Sequence, residues 1–169
     1  GSNDNTMKIL KSKNKQLTKI ISEPDNGIYD AMNKGINFAT GDIIGFLNSD
    51  DFYAHPEVLN NVTNIFKSNP SINSCYSDLV YIKKHNVSKT VRYWKSGKFI
   101  LGSFSRGWCP PHPTFFARRS VYETFGKFDL KYKIASDNEL MMRFLEVHKI
   151  KSFYSPEVWV KMRLGGITN

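Results

Sequence analysis

Asp42-Ile43-Ile44-Gly45-Phe46-Leu47-Asn48-Ser49-Asp50-Asp51 is an apolar, β-rich run that ends in clustered carboxylates. Such a run reads as a buried strand, and its carboxyl end is where open α/β sheets collect their ligands. Carboxylates gathered there call for a cation. Hard oxygen donors suit Mg²⁺ or Mn²⁺, ions that usually combine one or two protein carboxylates with the phosphates of a substrate. A polar turn closing a strand is the plainer reading, because Asp is a common turn former.

Working outward, residues 4–14 read as a helix and residues 17–22 as a short strand. Residues 27–39 place Ile28, Met32, Ile36 and Ala39 at helical spacing, and Gly41 stops that helix before a strand at 42–48. Pro56 opens another helix with Val58, Leu59, Val62, Ile65 and Phe66 on its buried face and Pro70 beyond its end. Residues 74–84 and 89–95 read as a strand pair around Asn86, followed by a long loop rich in Gly, Trp and Pro from 97 to 113. A strand at 114–118, helices at 120–125 and 137–148, strands at 151–154 and from 158, and a Gly165-Gly166 turn complete the chain. The expected class is α/β with mixed strands, and no linker divides the 169 residues.

Bulk properties narrow the function classes. With 40% hydrophobic and 14% aromatic residues the chain can bury a real core. Its apolar runs are far shorter than the ~20 residues that span a bilayer, so a soluble protein is expected. Cys75 and Cys109 stand alone, which argues against a zinc site or a disulfide framework and fits a reducing, cytoplasmic setting. Twenty-four basic against fifteen acidic residues give +9, which favours polyanions, anionic membrane surfaces or phosphate-bearing small molecules without choosing among them. The densest basic group, Lys8, Lys11, Lys13, Lys15 and Lys19, reads as a solvated helix face rather than a recognition helix, so no nucleic acid is expected.

Four segments occur in an order that identifies a relationship. They are residues 22–35 (Ser-Glu-Pro-Asp-Asn-Gly-Ile-Tyr-Asp-Ala-Met-Asn-Lys-Gly), residues 41–51, Pro111-His112-Pro113-Thr114-Phe115-Phe116 with Gly126-Lys127-Phe128-Asp129, and Ala135-Ser136-Asp137-Asn138-Glu139-Leu140 with Arg143. Together they resemble the inverting family-two glycosyltransferases of the GT-A fold, over roughly residues 3–166. The resemblance implies a single glycosyltransferase domain over 1–169, a nucleotide-diphospho-sugar transferase type of mixed sheet flanked by helices. It also implies a nucleotide-sugar donor, a glycan or lipid-linked acceptor, a role in polysaccharide biosynthesis, and peripheral contact with the inner membrane face.

By the same resemblance Asn48, Asp50 and Asp51 occupy the place of the family's DXD motif, with Asp50 as the metal ligand. Asn48 departs from that pattern and removes one charge. Asp137 falls where the family carries its catalytic base, and one carboxylate suffices to take the acceptor's proton in an inverting transfer. An Asp at the start of a helix is also a common cap. Ser136 stands where many relatives have an acid. Asp25 and Asn33 belong to the segment that runs beside the nucleotide, Lys34 is placed to meet a phosphate, and His112 to meet phosphate or acceptor. For these residues, and for Trp108 and Arg143, a structural role is the standing alternative. The opening Gly1-Ser2-Asn3-Asp4-Asn5-Thr6 is similar to the end of the family's acidic DGGSxDGT-like segment. The expectation is therefore a domain partial at its N-terminus, lacking the first strands, with an incomplete nucleotide pocket and an unpaired sheet edge open to oligomerisation.

Overall fold

The computed structural model describes residues 1–13, 15 and 17–165. Six strands form one mixed sheet: β1 (Ile43–Ile44), β2 (Phe52–Tyr53), β3 (Ser74–Lys83), β4 (Asn86–Trp94), β5 (Phe116–Arg118) and β6 (Ser152–Arg163). Their order is β1-β5-β3-β6-β2, with β4 paired to β3 off this path. The β3–β6 pair is parallel and the others are antiparallel.

Helices cover both faces. On one side α2 (Ile28–Phe38), α4 (Arg119–Phe125) and α5 (Ser136–Met142) enclose Ile36, Tyr76, Phe115, Tyr122, Leu140 and Phe144. On the other, α3 (Val58–Ser68) sets Val58, Val62 and Phe66 against Cys75, Leu79, Phe116 and Trp159. The sheet feeds the two cores alternately: Phe115 and Ala117 point to one and Phe116 to the other, as the two-residue period of a strand requires. The α3 face follows the sequence reading except for Leu59, which is exposed. Ile28 is likewise exposed on α2.

One edge of β3 is shared by two short partners. Ser74 and Cys75 pair with β5, whereas the stretch from Leu79 to Lys83 pairs with β4. Between them Ser77 and Asp78 are buried without a ladder on that side, and the loop after β4 shares with Tyr93 of β4 and Tyr154 of β6 the supply of their partners. Ser77 N donates to Thr114 Oγ1 at 3.3 Å, and Ser96 N and the Tyr93 and Tyr154 hydroxyls donate to the Asp78 carboxylate at 2.7–2.8 Å. Buried polar groups are thus satisfied by side chains where the ladder is interrupted.

Several boundaries differ from the sequence reading. Residues 17–22 form no strand; Leu17 and Ile21 are exposed, and their backbone joins no ladder. The expected strand at 42–48 shrinks to Ile43–Ile44, because Phe46 leaves the ladder to stack on His112 with ring centroids 5.4 Å apart. The strand expected at 114–118 begins at Phe116, after a 3₁₀ turn over His112–Thr114. The helix begun at Ser136 continues as a π-helical turn over Arg143–Val147, where His148 N donates to Arg143 O. Segments 151–154 and 158 onward are one strand, β6, with Pro156 and Glu157 bulged between Ser155 and Val158, where a proline costs no ladder bond. The first helix, α1, covers Thr6–Ser12; residue 14, where it was expected to end, and Gly166 of the expected turn lie outside the described residues.

Candidate active site

Asp137 is the second residue of α5, behind Ala135, whose φ of 65° is left-handed. No side chain caps this helix end; the Asp137 carboxylate instead accepts a hydrogen bond from the Tyr29 hydroxyl of α2 at 2.9 Å. Burial, and then the Asp137 charge, push the Tyr29 hydroxyl up to about 12, so it remains a proton donor. Ser136 is buried and donates to Asp129 O at 2.9 Å.

Phe128 organises this region. Its ring stacks on Tyr29 and meets Phe46 and His112 edge-on, with centroids 5.4–5.5 Å apart. Asn33 fixes its backbone reciprocally: Nδ2 donates to Phe128 O at 2.9 Å and Oδ1 accepts from Phe128 N at 3.0 Å. Asn33 therefore spends its amide on positioning Phe128. The Arg143 guanidinium holds the same loop through Phe125 O and Lys127 O while paired with Glu139 at 2.7 Å.

His112 is buried beside Asp137, and its Nε2 has no hydrogen-bond partner. Burial lowers its pKa below the ordinary 6.5, opposed by the Asp137 charge, so the ring is neutral. Trp108 is a loop anchor: Nε1 donates to Ser96 O, and the ring packs on Tyr76, Phe99 and Phe104.

The Asn48–Asp51 turn lies beyond Phe46. Asp51 N donates to Asn48 O at 3.1 Å, and Asn48 Nδ2 donates to Asp51 Oδ2 at 3.2 Å. Asp50 is exposed, whereas Asp51 is only 8% exposed and its Oδ1 has no partner. Burial first, and the Asp50 charge second, push the Asp51 carboxyl up to about 6. Arg163, at the end of β6, donates to Asp50 O at 2.6 Å and adds a cation beside the turn.

These oxygens fit a hard divalent cation. An orphaned buried carboxylate oxygen next to a second, exposed carboxylate is a pair that a cation would satisfy. Among the described residues no group of three His, Cys, Asp or Glu is placed to hold a metal ion.

Asp25 and Lys34 sit apart from this cluster. The Lys34 ammonium binds Asp25 at 2.8 Å, Glu23 at 2.9 Å and Asp30 at 3.4 Å, beside a depression of about 180 Å³. Bonding to Asp25, then to Glu23, raises the Lys34 pKa. The structure thus brings Asp137 and His112 together beside the Phe46 and Phe128 rings, and the Asn48–Asp51 turn follows Phe46 along the chain. Tyr29 and Arg163 escaped the sequence reading; Tyr29 lies inside a quoted motif, but only the fold shows its partner.

The model of the glycosyl transferase family 2 matches residues 1–126. The chain belongs to that family. A PGL/p-HBAD biosynthesis glycosyltransferase of Mycobacterium bovis is 27% identical over 150 residues, covering 87% of this chain and 55% of the relative. An uncharacterized glycosyltransferase of Mycobacterium tuberculosis is 30% identical over 128 residues, covering 72% of this chain and 45% of its own. The chain spans about half the length of these curated relatives. Among solved structures, S. aureus TarS 1-349 in complex with UDP superposes with a TM-score of 0.67 at 14% identity, over 97% of this chain and 49% of that one. The family-2 chain therefore has the GT-A fold. No helix among its described residues is long and apolar enough to cross a membrane.

Proposed function

We propose that this family-2 chain moves a sugar from a nucleoside diphosphate sugar to a hydroxyl of a glycan or lipid-linked acceptor, with inversion at the anomeric carbon. The observation that carries the reading is the position of His112: its ring lies in the field of Asp137 and stacks on Phe46, two residues before the Asn48–Asp51 turn. In this reading the proton acceptor and the pair of carboxylates lie on either side of the stacked Phe46 and His112 rings.

In this reading Asp137 is the base. Tyr29 occupies Oδ1, which leaves the second oxygen to take the acceptor's proton as its oxygen bonds to the anomeric carbon. The bond to the diphosphate breaks with its electrons staying on the leaving oxygen. Asp50 and Asp51 would hold Mg²⁺ or Mn²⁺, which when bound supplies charge neutralisation for the departing diphosphate. Arg163 adds fixed positive charge at the same turn. Asn48 holds the turn and Asn33 acts through Phe128, whereas Asp25 is engaged by Lys34 apart from that cluster.

Nucleoside diphosphates should raise the melting temperature of the folded chain, more with Mn²⁺ than without, and Asp50→Ala should remove the Mn²⁺ increment. If no nucleoside diphosphate raises the midpoint with or without Mn²⁺, the proposal fails. The second reading is a binding module that retains the fold without catalysis; it would keep the nucleotide-induced rise in melting temperature and show no turnover.

A further inference from the structure

Tyr29 is half-buried on α2, and its side chain meets Asp137 twice. Its hydroxyl donates to Asp137 Oδ1 at 2.9 Å. The same oxygen lies close enough to the backbone N–H groups of Asp137 and Ala135 for them to favour its ionised form, against the stronger effects of burial and the Asp137 charge. One tyrosine thus engages the carboxylate of a residue and the backbone that carries it.

The hold on Tyr29 is stiff. Tyr29, Asn33 and Asn37 recur every four residues and so share one face of α2. All three reach the segment that leads to Asp137. The Tyr29 ring stacks on Phe128 with an interplanar angle of 26°, Asn33 bonds both backbone atoms of Phe128, and Asn37 Oδ1 accepts from Lys127 Nζ. A merely solvent-facing stripe would not engage one distant segment three times.

The groups around Asp137 leave its charge to this hydroxyl. From the loop before β5, Cys109 and His112 both feel the Asp137 charge. Burial first, and that charge second, push the Cys109 thiol up to about 12, and burial keeps the His112 ring neutral, so neither is a cation. On α5 itself, Glu139 is paired with Arg143. Among the described residues no lysine or arginine pairs with Asp137. The Tyr29 hydroxyl therefore supplies the support that an ion pair would otherwise give, since a hydrogen bond to a carboxylate favours its charged form.

We propose that Tyr29 is a positioning residue for the base: it holds the Asp137 carboxylate in one orientation with Oδ2 free, supports the negative charge there, and is itself fixed by Phe128 and Asn33. The inference rests on the reading of Asp137 as the base.

Tyr29→Phe keeps the ring against Phe128 and removes only the hydroxyl. Turnover of a nucleoside diphosphate sugar with Mn²⁺, measured across pH, should fall about tenfold or more on its plateau, because a misplaced base loses orientation. The acid limb of the kcat profile should move to higher pH by about one pH unit, the direction expected when a hydrogen bond to the charged form is lost. The donor KM and the nucleotide-induced rise in melting temperature should be kept. Asn33→Ala should move the limb the same way by less, and should add nothing in the Tyr29→Phe background. Tyrosine labelled with ¹³C at the ζ carbon reads the contact without turnover: the signal that Tyr29→Phe lacks should shift in Asp137→Asn. The proposal is overturned if that signal stays in place, or if Tyr29→Phe lowers turnover and melting temperature while the acid limb stays where it is in the parent. Full turnover in Asp137→Asn would sink the transfer reading and this inference together, whereas lost turnover there with an unmoved limb in Tyr29→Phe sinks this inference alone.

Discussion

At the scale of the residue, the site is governed by which polar atoms are left unpaired. His112 is buried with a free Nε2 and a pKa below 6.5. As pH falls below that value the unfolded chain takes up a proton that the folded chain refuses, so stability drops; the loss continues until the folded pKa is passed. His112→Phe, which keeps a flat ring against Phe46, should therefore lose less stability than the parent between about pH 7 and pH 5. Urea midpoints at the two pH values measure this, and equal slopes would contradict it. Residue identity was legible for the carboxylates, since Asp50, Asp51 and Asp137 stand out by type and motif. The pairings were not: Tyr29 reaches Asp137 across 108 residues, and no periodicity encodes such a contact. Lys34 shows the opposite failure, because a lysine read as free for phosphate is held by three carboxylates.

At the scale of the element, the decisive piece is the short strand β1 and its exit. A Cβ on Gly45 would lie 2.3 Å from a ring carbon of Phe116, so the absence of a side chain there lets the backbone pass over the ring and turn Phe46 toward His112. Gly45→Ala should cost about 1–3 kcal/mol, the usual range for overpacking a filled core. Urea unfolding would show it, and an unchanged midpoint would mean that Phe116 moves aside freely. Helix positions and faces were largely readable because α2 and α3 keep their apolar spacing. Strand lengths were not, since a ladder needs a partner: residues 17–22 have strand-like composition but no neighbour, and β6 runs through a proline because its bulge falls between paired residues.

At the scale of the whole molecule, α/β class and family were legible from four ordered segments, and the family match over residues 1–126 agrees with them. The interrupted edge of β3 was not foreseeable, because it arises from two separate strands sharing one partner. That gap admits the long loop that delivers Trp108 and His112, and so joins the fold to the site.

The central claim is that Asp137 performs proton transfer rather than holding the fold. Turnover of a nucleoside diphosphate sugar, followed as release of the diphosphate with Mn²⁺, should fall at least about 100-fold in Asp137→Asn, while the nucleotide-induced rise in melting temperature is kept. Turnover equal to that of the parent chain would contradict the account.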